Sequence, residues 1–239
     1  MPTLRERTEG FTLDSWRKPE NQRFILRDRV RLSKFKEALE KTVTSQSVVI
    51  DIGAGWGVLS IFAAKAGAKK VFAIEAHEVN IEKAKKEIAK ERLGQKIELI
   101  RGDSFEIPRE ALPQANVIVS ETLGFMGIGE GIVGIMHDAK LKWLSKNSML
   151  IPRRLSLYIA SVSVPHPPKK RMMMLVSQRY LHSKPRIIEQ YELGNDKDVS
   201  NLDVPPNHVG WFVAELHENI VLDTSPFSPS TSWEQIYFP

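Results

Sequence analysis

Residues 48–57 have the sequence Val-Val-Ile-Asp-Ile-Gly-Ala-Gly-Trp-Gly, and this stretch decides the fold. A short β-branched run bounded by glycines is typical of a strand that is buried on both faces of a parallel sheet. Gly53, Gly55 and Gly57 allow the backbone to turn sharply and to approach a ligand where a Cβ atom would clash. The apolar pattern that follows indicates a helix, so the stretch predicts a ligand site at the carboxyl edge of the sheet.

The segments on either side continue this alternation of strand and helix. The spacing predicts strands over 47–52, 70–75, 96–101, 115–119 and 148–152, and helices over 57–66, 78–92 and 131–145. Such an alternation indicates right-handed crossovers and an α/β fold with a doubly wound, Rossmann-like parallel sheet. Apolar residues at helical spacing, together with Pro19 in a first turn, predict a further helix over 19–42 ahead of the sheet.

The pattern changes after Pro152. Helical periods fade, prolines become frequent, and strand-like segments are expected at 155–164, 172–176, 210–217 and 219–222. We therefore predict a small, mainly β, barrel-like C-terminal domain. The expected organisation is an N-terminal helical cap over 1–44, a Rossmann-like domain over 45–152 and a partial barrel over 153–239.

Composition excludes several classes of function. The 239 residues include no cysteine, so disulfides, thiolate metal sites and a thiol nucleophile are excluded, and a cytoplasmic protein is expected. No apolar run approaches ~18 residues, so no membrane span is expected. The net charge of +5 is a mild excess, and RNA is a less favoured partner than a protein or a small amine. The histidines lack metal-ligand spacing, so no metal site is predicted.

The glycine turn predicts a nucleoside ligand without phosphate chemistry. Val58 stands where the dinucleotide fingerprint G-x-G-x-x-G requires glycine, and no triphosphate loop is present. Asp51 brings a carboxylate to the turn, where it disfavours a pyrophosphate and favours a cation. Glu75 ends the second strand, where a carboxylate can accept both hydroxyls of a ribose. A positively charged nucleoside, S-adenosylmethionine, satisfies these conditions.

A second glycine-rich loop follows the predicted fourth strand. Glu121 comes directly after that strand, and Glu130 lies at the far end of the loop. The glycines between them allow the loop to fold back and bring the two carboxylates together. Paired carboxylates suit a guanidinium, which presents five N–H donors in a fixed fork. The alternative is that Glu121 caps a helix and Glu130 lies on the surface.

Six segments together resemble the protein arginine methyltransferase family of class I S-adenosylmethionine enzymes. They stand in the family's order and cover most of the chain. The segments are the acid-x-x-Arg helix at 28–31, the glycine motif at 48–57, Phe62-Ala-Ala-Lys-Ala-Gly-Ala-Lys-Lys-Val71, the double-glutamate loop from Ser120 to Glu130, the step into the β-barrel from Leu144 to Pro152, and Thr231-Ser-Trp-Glu-Gln235. Ser232 departs from the pattern, because the family usually has histidine there.

The resemblance implies specific roles. Arg31 would hold the methionine carboxylate of the cofactor, and Glu121 and Glu130 would be catalytic. Ser232 and Trp233 would border the substrate. Asp103 and Ser104 would meet the adenine, with a plain loop acid as the alternative for Asp103. The full set of expected cofactor-binding residues is Arg31, Asp51, Gly53, Gly55, Gly57, Glu75, Asp103 and Ser104.

The expected function is therefore an S-adenosylmethionine-dependent N-methyltransferase that acts on a protein arginine. Two alternatives stay open: a methyltransferase of a small amine or another metabolite, and a catalytically inactive binding module with the same fold. A homodimer also stays open.

Overall fold

The computed structural model describes residues 26–197, 199 and 202–239. Most of the predicted helical cap over 1–44 lies in 1–25 and so outside the described residues, and this includes Pro19, where the helix over 19–42 is predicted to begin. Within the described part, two sheets account for most of the regular structure.

The first sheet is parallel and has five strands in the order β3-β2-β1-β4-β5. Its strands are β1 Val48–Ile52, β2 Lys70–Glu75, β3 Ile97–Arg101, β4 Ala115–Ser120 and β5 Leu144–Ile151. Val49 and Ile50 at its centre are fully buried, as a sheet covered on both faces requires. The predicted doubly wound, Rossmann-like sheet is thus confirmed.

Four α-helices accompany this sheet in the described residues. They are α1 Arg29–Thr42, α2 Val58–Lys65, α3 Glu78–Lys90 and α4 Ile132–Trp143. The first departs from the prediction, because residues 26 and 27 form a turn and the helix begins only at Arg29. Asp28 is the reason, since its side chain accepts a hydrogen bond from the backbone N–H of Arg31 at 2.9 Å and caps the helix there.

The boundary between α4 and β5 also differs from the prediction. The helix ends at Trp143 and the strand begins at Leu144, four residues before its predicted start. Ala115 of β4 pairs with Leu144, and the register then shifts before Val117 pairs with Met149. Pairing with β4 thus extends the strand into polar residues whose own pattern does not indicate one.

The second sheet is antiparallel and follows directly after Pro152. Its path is β7-β11-β9-β6-β8, and β10 pairs with β9. Its strands are β6 Arg154–Ser161, β7 Met172–Met174, β8 Arg186–Glu192, β9 His208–His217, β10 Ile220–Asp223 and β11 Gln235–Phe238. The sequence prediction missed β8 and β11. The small C-terminal β domain is confirmed, whereas the exact division at 152 stays a prediction.

One hydrophobic core serves both sheets. Phe35 and Leu39 of α1 belong to the same buried cluster as Trp143 at the end of α4 and Phe212 of β9. A second, smaller cluster on the antiparallel sheet includes Trp211. The shared core holds the antiparallel sheet close to the carboxyl edge of the parallel one. No helix in the described part of the chain has the length and apolarity to cross a bilayer.

Candidate functional site

The site lies where three parallel strands end together. Ile52 of β1 pairs with Ile74 of β2 and with Ser120 of β4. The residues that follow these partners, Gly53, Glu75 and Glu121, therefore leave the sheet at the same edge. Because β1 lies between β2 and β4, the helical connections diverge here, which is where open α/β sheets bind ligands.

The first glycine turn requires its glycines. Gly53, Gly55 and Gly57 all have positive φ, at 72°, 57° and 81°. A Cβ atom at Gly53 would lie 2.8 Å from Cγ2 of Thr122, so the turn after β1 passes close to the loop after β4. Gly57 is the N-cap of α2 and has no side chain to cap the helix, which leaves that helix end to other acceptors.

Glu75 fixes the shape of that turn. One carboxylate oxygen accepts a hydrogen bond from the N–H of Gly55 at 2.8 Å, and the other accepts from the N–H of His77 at 2.8 Å. The residue is only 5% exposed. Each oxygen keeps a second acceptor position, so the proposed contact to ribose hydroxyls is compatible with both backbone bonds.

Asp51 lies beneath the turn and is buried. Its carboxylate accepts a hydrogen bond from the hydroxyl of Ser60 on α2 at 2.6 Å. Burial raises the pKa of Asp51 from 3.8 to about 7, and the nearby charge of Glu75 adds to this, while the Ser60 hydrogen bond opposes it. A cation bound in the cleft would favour the ionised form.

Arg31 joins the cofactor-side residues to the double-glutamate loop. Its Nη2 lies 2.9 Å from Oε2 of Glu121, and its guanidinium carbon lies 5.4 Å from the ring centroid of Trp233. The side chains of Arg31 and Glu121 are 7% and 15% exposed, so this ion pair is shielded from most solvent. The Nε of Arg31 is buried and has no hydrogen-bond partner among the described residues.

The loop that carries the two glutamates closes through its own glycines. A Cβ atom at Gly124 would lie 2.8 Å from the backbone nitrogen of Glu130, and one at Gly129 would lie 2.7 Å from that of Phe125. Backbone hydrogen bonds from Ile128 and Gly129 to the carbonyl of Phe125 hold the same turn. The close approach folds Glu130 back towards the start of the loop, as the sequence predicted.

The two glutamates interact electrostatically. Burial raises the pKa of Glu121 from 4.5 to about 7, Arg31 opposes the rise, and Asp28 and Asp51 add to it. Burial also raises the pKa of Glu130 from 4.5 to about 8, and the charge of Glu121 adds to that rise. Both glutamates thus titrate closer to neutral pH than an ordinary carboxyl group, and a further positive charge in the cleft would favour their ionised forms.

The predicted substrate-side residues belong to the loop before β11. The backbone N–H of Ser232 donates a hydrogen bond to Oδ2 of Asp28 at 2.6 Å, so this loop is tied to the cap of α1. Trp233 is 7% exposed and packs edge-to-face on Phe212 with ring centroids 5.2 Å apart. The structure therefore brings Trp233 to the Arg31–Glu121 pair, whereas Ser232 meets Asp28 through its backbone.

Asp103 and Ser104 lie beyond the end of β3, and two strands, β2 and β1, separate β3 from the strand that precedes Glu121. Asp103 is exposed, and its carboxylate accepts from the N–H of Phe105 at 3.0 Å, which forms a local turn. Ser104 is buried, and its carbonyl accepts from Nζ of Lys142 at 3.0 Å. These contacts are structural, and the adenine contact assigned to both residues stays a prediction.

A cleft runs between the two glycine loops. Its polar walls are Arg31, Asp51 and Glu121, the turn at Gly53 forms its floor, and Trp56 and apolar side chains from α1 and α2 complete it. Among the described residues that line it, two acids, Asp51 and Glu121, outnumber one arginine, which suits a ligand with positive charge. In the part of the chain that the structure describes, no three His, Cys, Asp or Glu side chains are grouped to hold a metal ion.

Three residues of this site were absent from the predicted set. Asp28 ties α1 to the substrate-side loop, Ser60 holds Asp51, and Trp56 lines the cleft. The four-residue spacing in 28–31 could have identified Asp28 as an N-cap. No pattern in the sequence could have identified Ser60, because its role depends on how α2 packs against β1.

Comparison with known proteins supports the predicted resemblance. The family model of ribosomal protein L11 methyltransferase (PrmA) matches residues 36–126. A probable protein arginine N-methyltransferase 6 of Arabidopsis thaliana is 33% identical over 145 residues, which cover 59% of this chain and 32% of that protein. Protein arginine N-methyltransferase 1 of Caenorhabditis elegans is 34% identical over 143 residues, which cover 58% of this chain and 40% of that protein.

Those two matches concern sequence. Over the matched residues, the chain is similar to protein arginine N-methyltransferases. It spans only 32% and 40% of the length of these two relatives, so the relationship concerns part of each of them.

Solved structures of protein arginine methyltransferases share the fold of this chain. The Trypanosoma brucei PRMT1 enzyme-prozyme heterotetrameric complex with AdoHcy matches with a TM-score of 0.82 and 20% identity, covering 93% of this chain and 82% of that chain. Protein arginine methyltransferase 10 of Arabidopsis thaliana matches with a TM-score of 0.81 and 19% identity, covering 94% and 83%. The family-type arrangement of both sheets is thus shared.

Proposed function

We propose that the chain is an S-adenosylmethionine-dependent methyltransferase whose acceptor is the guanidinium of a protein arginine. The observation that carries the proposal is the pair of partly buried glutamates, Glu121 and Glu130, which share one glycine loop beside an acid-lined cleft. The names of the sequence relatives support the substrate, and the AdoHcy of the trypanosome complex supports the cofactor.

The residues of the cleft fit the proposed cofactor. S-adenosylmethionine supplies an electrophilic methyl group on a positively charged sulfur. Arg31 offers to a carboxylate its Nε, which has no partner within the described residues, and Glu75 offers acceptor positions to ribose hydroxyls. Asp51 provides negative charge at the turn, which suits a sulfonium or an ammonium group. The positive φ angles of Gly53, Gly55 and Gly57 form the turn, and Gly53 lines the cleft.

The two glutamates would bind and orient the acceptor. A guanidinium has five N–H donors in a planar fork, and two carboxylates can hold several of them at once. Both glutamates have raised pKa values, so arrival of a cation would release protons from them. The ionised pair would then draw positive charge away from the nitrogen that faces the cofactor, and one glutamate would accept the proton lost after transfer.

Positioning would supply much of the rate. Holding two reactants in line can contribute roughly 7–11 kcal/mol in favourable cases. Here the cleft and the glutamate loop are joined through Arg31, which lies between Glu121 and Trp233. Arg31 would therefore hold the acceptor site at a fixed position relative to the cofactor site.

The competing proposals differ in the acceptor. A methyltransferase of a small amine or another metabolite is favoured by Ser232, which stands where the resemblance leads one to expect histidine. An inactive binding module is disfavoured by the retention of both Glu121 and Glu130. A protein substrate, self-association as a dimer and a cytoplasmic location belong to the first proposal and stay predictions.

The test is methyl transfer from isotopically labelled S-adenosylmethionine to two matched peptides. One peptide carries arginine in a glycine-rich context, and the other has lysine at each arginine. We expect label on the arginine peptide only, located by fragmentation mass spectrometry, and none with the Glu130→Gln variant. Label on amines in a metabolite mixture but on neither peptide would support the metabolite alternative. Cofactor binding without transfer to either would support the inactive module.

A further inference from the structure

The glycine turn does not explain why residue 56 is a tryptophan. The flanking glycines have the positive φ angles of the turn, whereas Trp56 does not. Trp56 lines the cleft together with Arg31, and its indole Nε1 is buried without a hydrogen-bond acceptor among the described residues. A buried N–H without a partner is unfavourable, so it indicates an acceptor that a ligand supplies.

Arg31 has the same deficiency in the same cleft. Its Nη2 is held by Glu121, while its Nε is buried and, among the described residues, unpartnered. Because the guanidinium has several donors in fixed directions, the Nε can bind a ligand while the ion pair with Glu121 is kept. Two unsatisfied donors on one cleft call for a ligand group with more than one acceptor oxygen.

The surroundings of Trp56 favour an anionic acceptor. Nζ of Lys83 lies 5.7 Å from the centroid of the Trp56 ring, which brings a positive charge to this end of the cleft. Helix α2 begins at Val58, directly after the turn, and its N-terminus carries no side-chain cap. Helix N-termini favour negative charge. The acids Asp51 and Glu121 line the same cleft, so the ligand must present both signs of charge.

We propose that Trp56 is a binding residue for the carboxylate of the cofactor's amino acid part, to which its indole N–H donates alongside Nε of Arg31. This inference rests on the proposed function, because it assumes a nucleoside with an amino acid attached. It adds a selectivity determinant, since the Trp56 hydrogen bond would separate ligands that carry this carboxylate from those that lack it.

The test compares two nucleosides that differ in the amino acid part. S-adenosylhomocysteine has the carboxylate, and 5′-methylthioadenosine lacks it. We expect Trp56→Phe to weaken S-adenosylhomocysteine about tenfold in calorimetry, as the loss of one hydrogen bond to a charged group predicts. The affinity for 5′-methylthioadenosine should stay within about twofold. Trp211→Phe, on the second hydrophobic cluster, is the matched control and should change neither affinity.

Equal weakening of both ligands by Trp56→Phe, or no weakening of either, would overturn the role of Trp56. Failure of the unsubstituted chain to bind either nucleoside would instead refute the proposed function, and this inference with it.

A second measurement does not depend on the variant being folded. In an ¹⁵N-labelled full chain, the indole N–H resonance of Trp56 should move downfield with S-adenosylhomocysteine and not with 5′-methylthioadenosine. An unmoved indole resonance in the presence of saturating S-adenosylhomocysteine would overturn the proposal.

Discussion

Two glycine-rich turns follow adjacent parallel strands, and they use carboxylates in opposite ways. In the turn after β1, Glu75 accepts two backbone N–H groups and so holds the glycines in place. In the loop after β4, Gly124 and Gly129 allow the backbone to close tightly and so hold Glu121 and Glu130 in place. The first carboxylate supports the backbone, whereas the second pair is supported by it.

The difference teaches where chemical reactivity is located in this fold. Glu75 is buried but its oxygens are hydrogen bonded, which compensates for its lost hydration. Glu121 and Glu130 lose hydration with less compensation, and their pKa values rise to about 7 and about 8. Groups that titrate near neutral pH in a cleft are typical of functional sites. Asp51 beneath the first turn has a similarly raised pKa, but the loop after β4 carries two such groups, so we expect it to be the reactive one of the two.

The largest effect should come from removing one carboxylate charge at each of the two glycine loops. Glu121→Gln keeps the shape of the side chain but removes the charge, so we expect methyl transfer to fall about 10²–10³-fold while S-adenosylhomocysteine affinity stays within about threefold. Glu75→Gln should do the reverse and lose mainly cofactor affinity. Labelled-transfer assays and calorimetry measure the two. Loss of cofactor affinity in Glu121→Gln would show that Glu121 contributes to cofactor binding as well as to methyl transfer.

Breaking the closure of the second loop should have the next largest effect. Gly124 has φ of +58°, and its added Cβ would meet the backbone nitrogen of Glu130 at 2.8 Å, so Gly124→Ala must move the loop. We expect transfer to fall about tenfold or more and stability to fall by about 1–3 kcal/mol. Gly94 has open space around its Cβ position, so Gly94→Ala is the control. Equal activity of both variants in the transfer assay would contradict the closure argument.

The raised pKa values predict a pH dependence of stability. Glu130 has a pKa of about 8 in the folded chain against an ordinary value of 4.5, so the folded state binds its proton more tightly. Its contribution to stability is therefore full below about 4.5 and is lost as the pH rises through about 8. We expect the free energy of unfolding of the ligand-free chain, measured in urea, to be lower at pH 9 than at pH 6.

Glu130→Gln should remove most of this dependence and make the chain more stable than the parent at pH 9, by up to a few kcal/mol at about 1.4 kcal/mol per pKa unit. Glu40→Gln on the exposed face of α1 should leave the pH dependence unchanged. A parent chain that gains stability between pH 6 and pH 9 would contradict the sign.

The smallest effect is expected from a substitution of Ser60, beneath the first glycine turn. Ser60→Ala removes the hydrogen bond that lowers the pKa of Asp51, so that pKa should rise further above its ordinary value. We expect a loss of about 1 kcal/mol in stability and a severalfold loss of cofactor affinity at pH 7, recovered in part at pH 9. Calorimetry at the two pH values measures this. An affinity that falls equally at both would indicate a packing role for Ser60.

The sequence predicted those elements whose pattern depends on local periodicity. The first four strands and the helices α2, α3 and α4 lie within a few residues of their predicted bounds, because buried β-branched runs and amphipathic repeats can be identified from local sequence. Predictions failed where pairing with another strand determines the secondary structure. Strand β11 follows a polar loop and forms by pairing with β7 and β9. Helix α1 begins later than its apolar repeat predicts, because the side chain of Asp28 caps the helix.

By itself, the sequence determined the sheet, the two glycine turns, and which carboxylates follow which strands. These features follow from chain order, since residues directly after adjacent parallel strands must emerge at one edge. Only the tertiary structure decided that Arg31 bridges Glu121 and Trp233, that Ser60 holds Asp51, and that Asp28 ties α1 to the last loop. Those contacts join residues far apart in the chain, and their strength depends on burial, which no local pattern encodes.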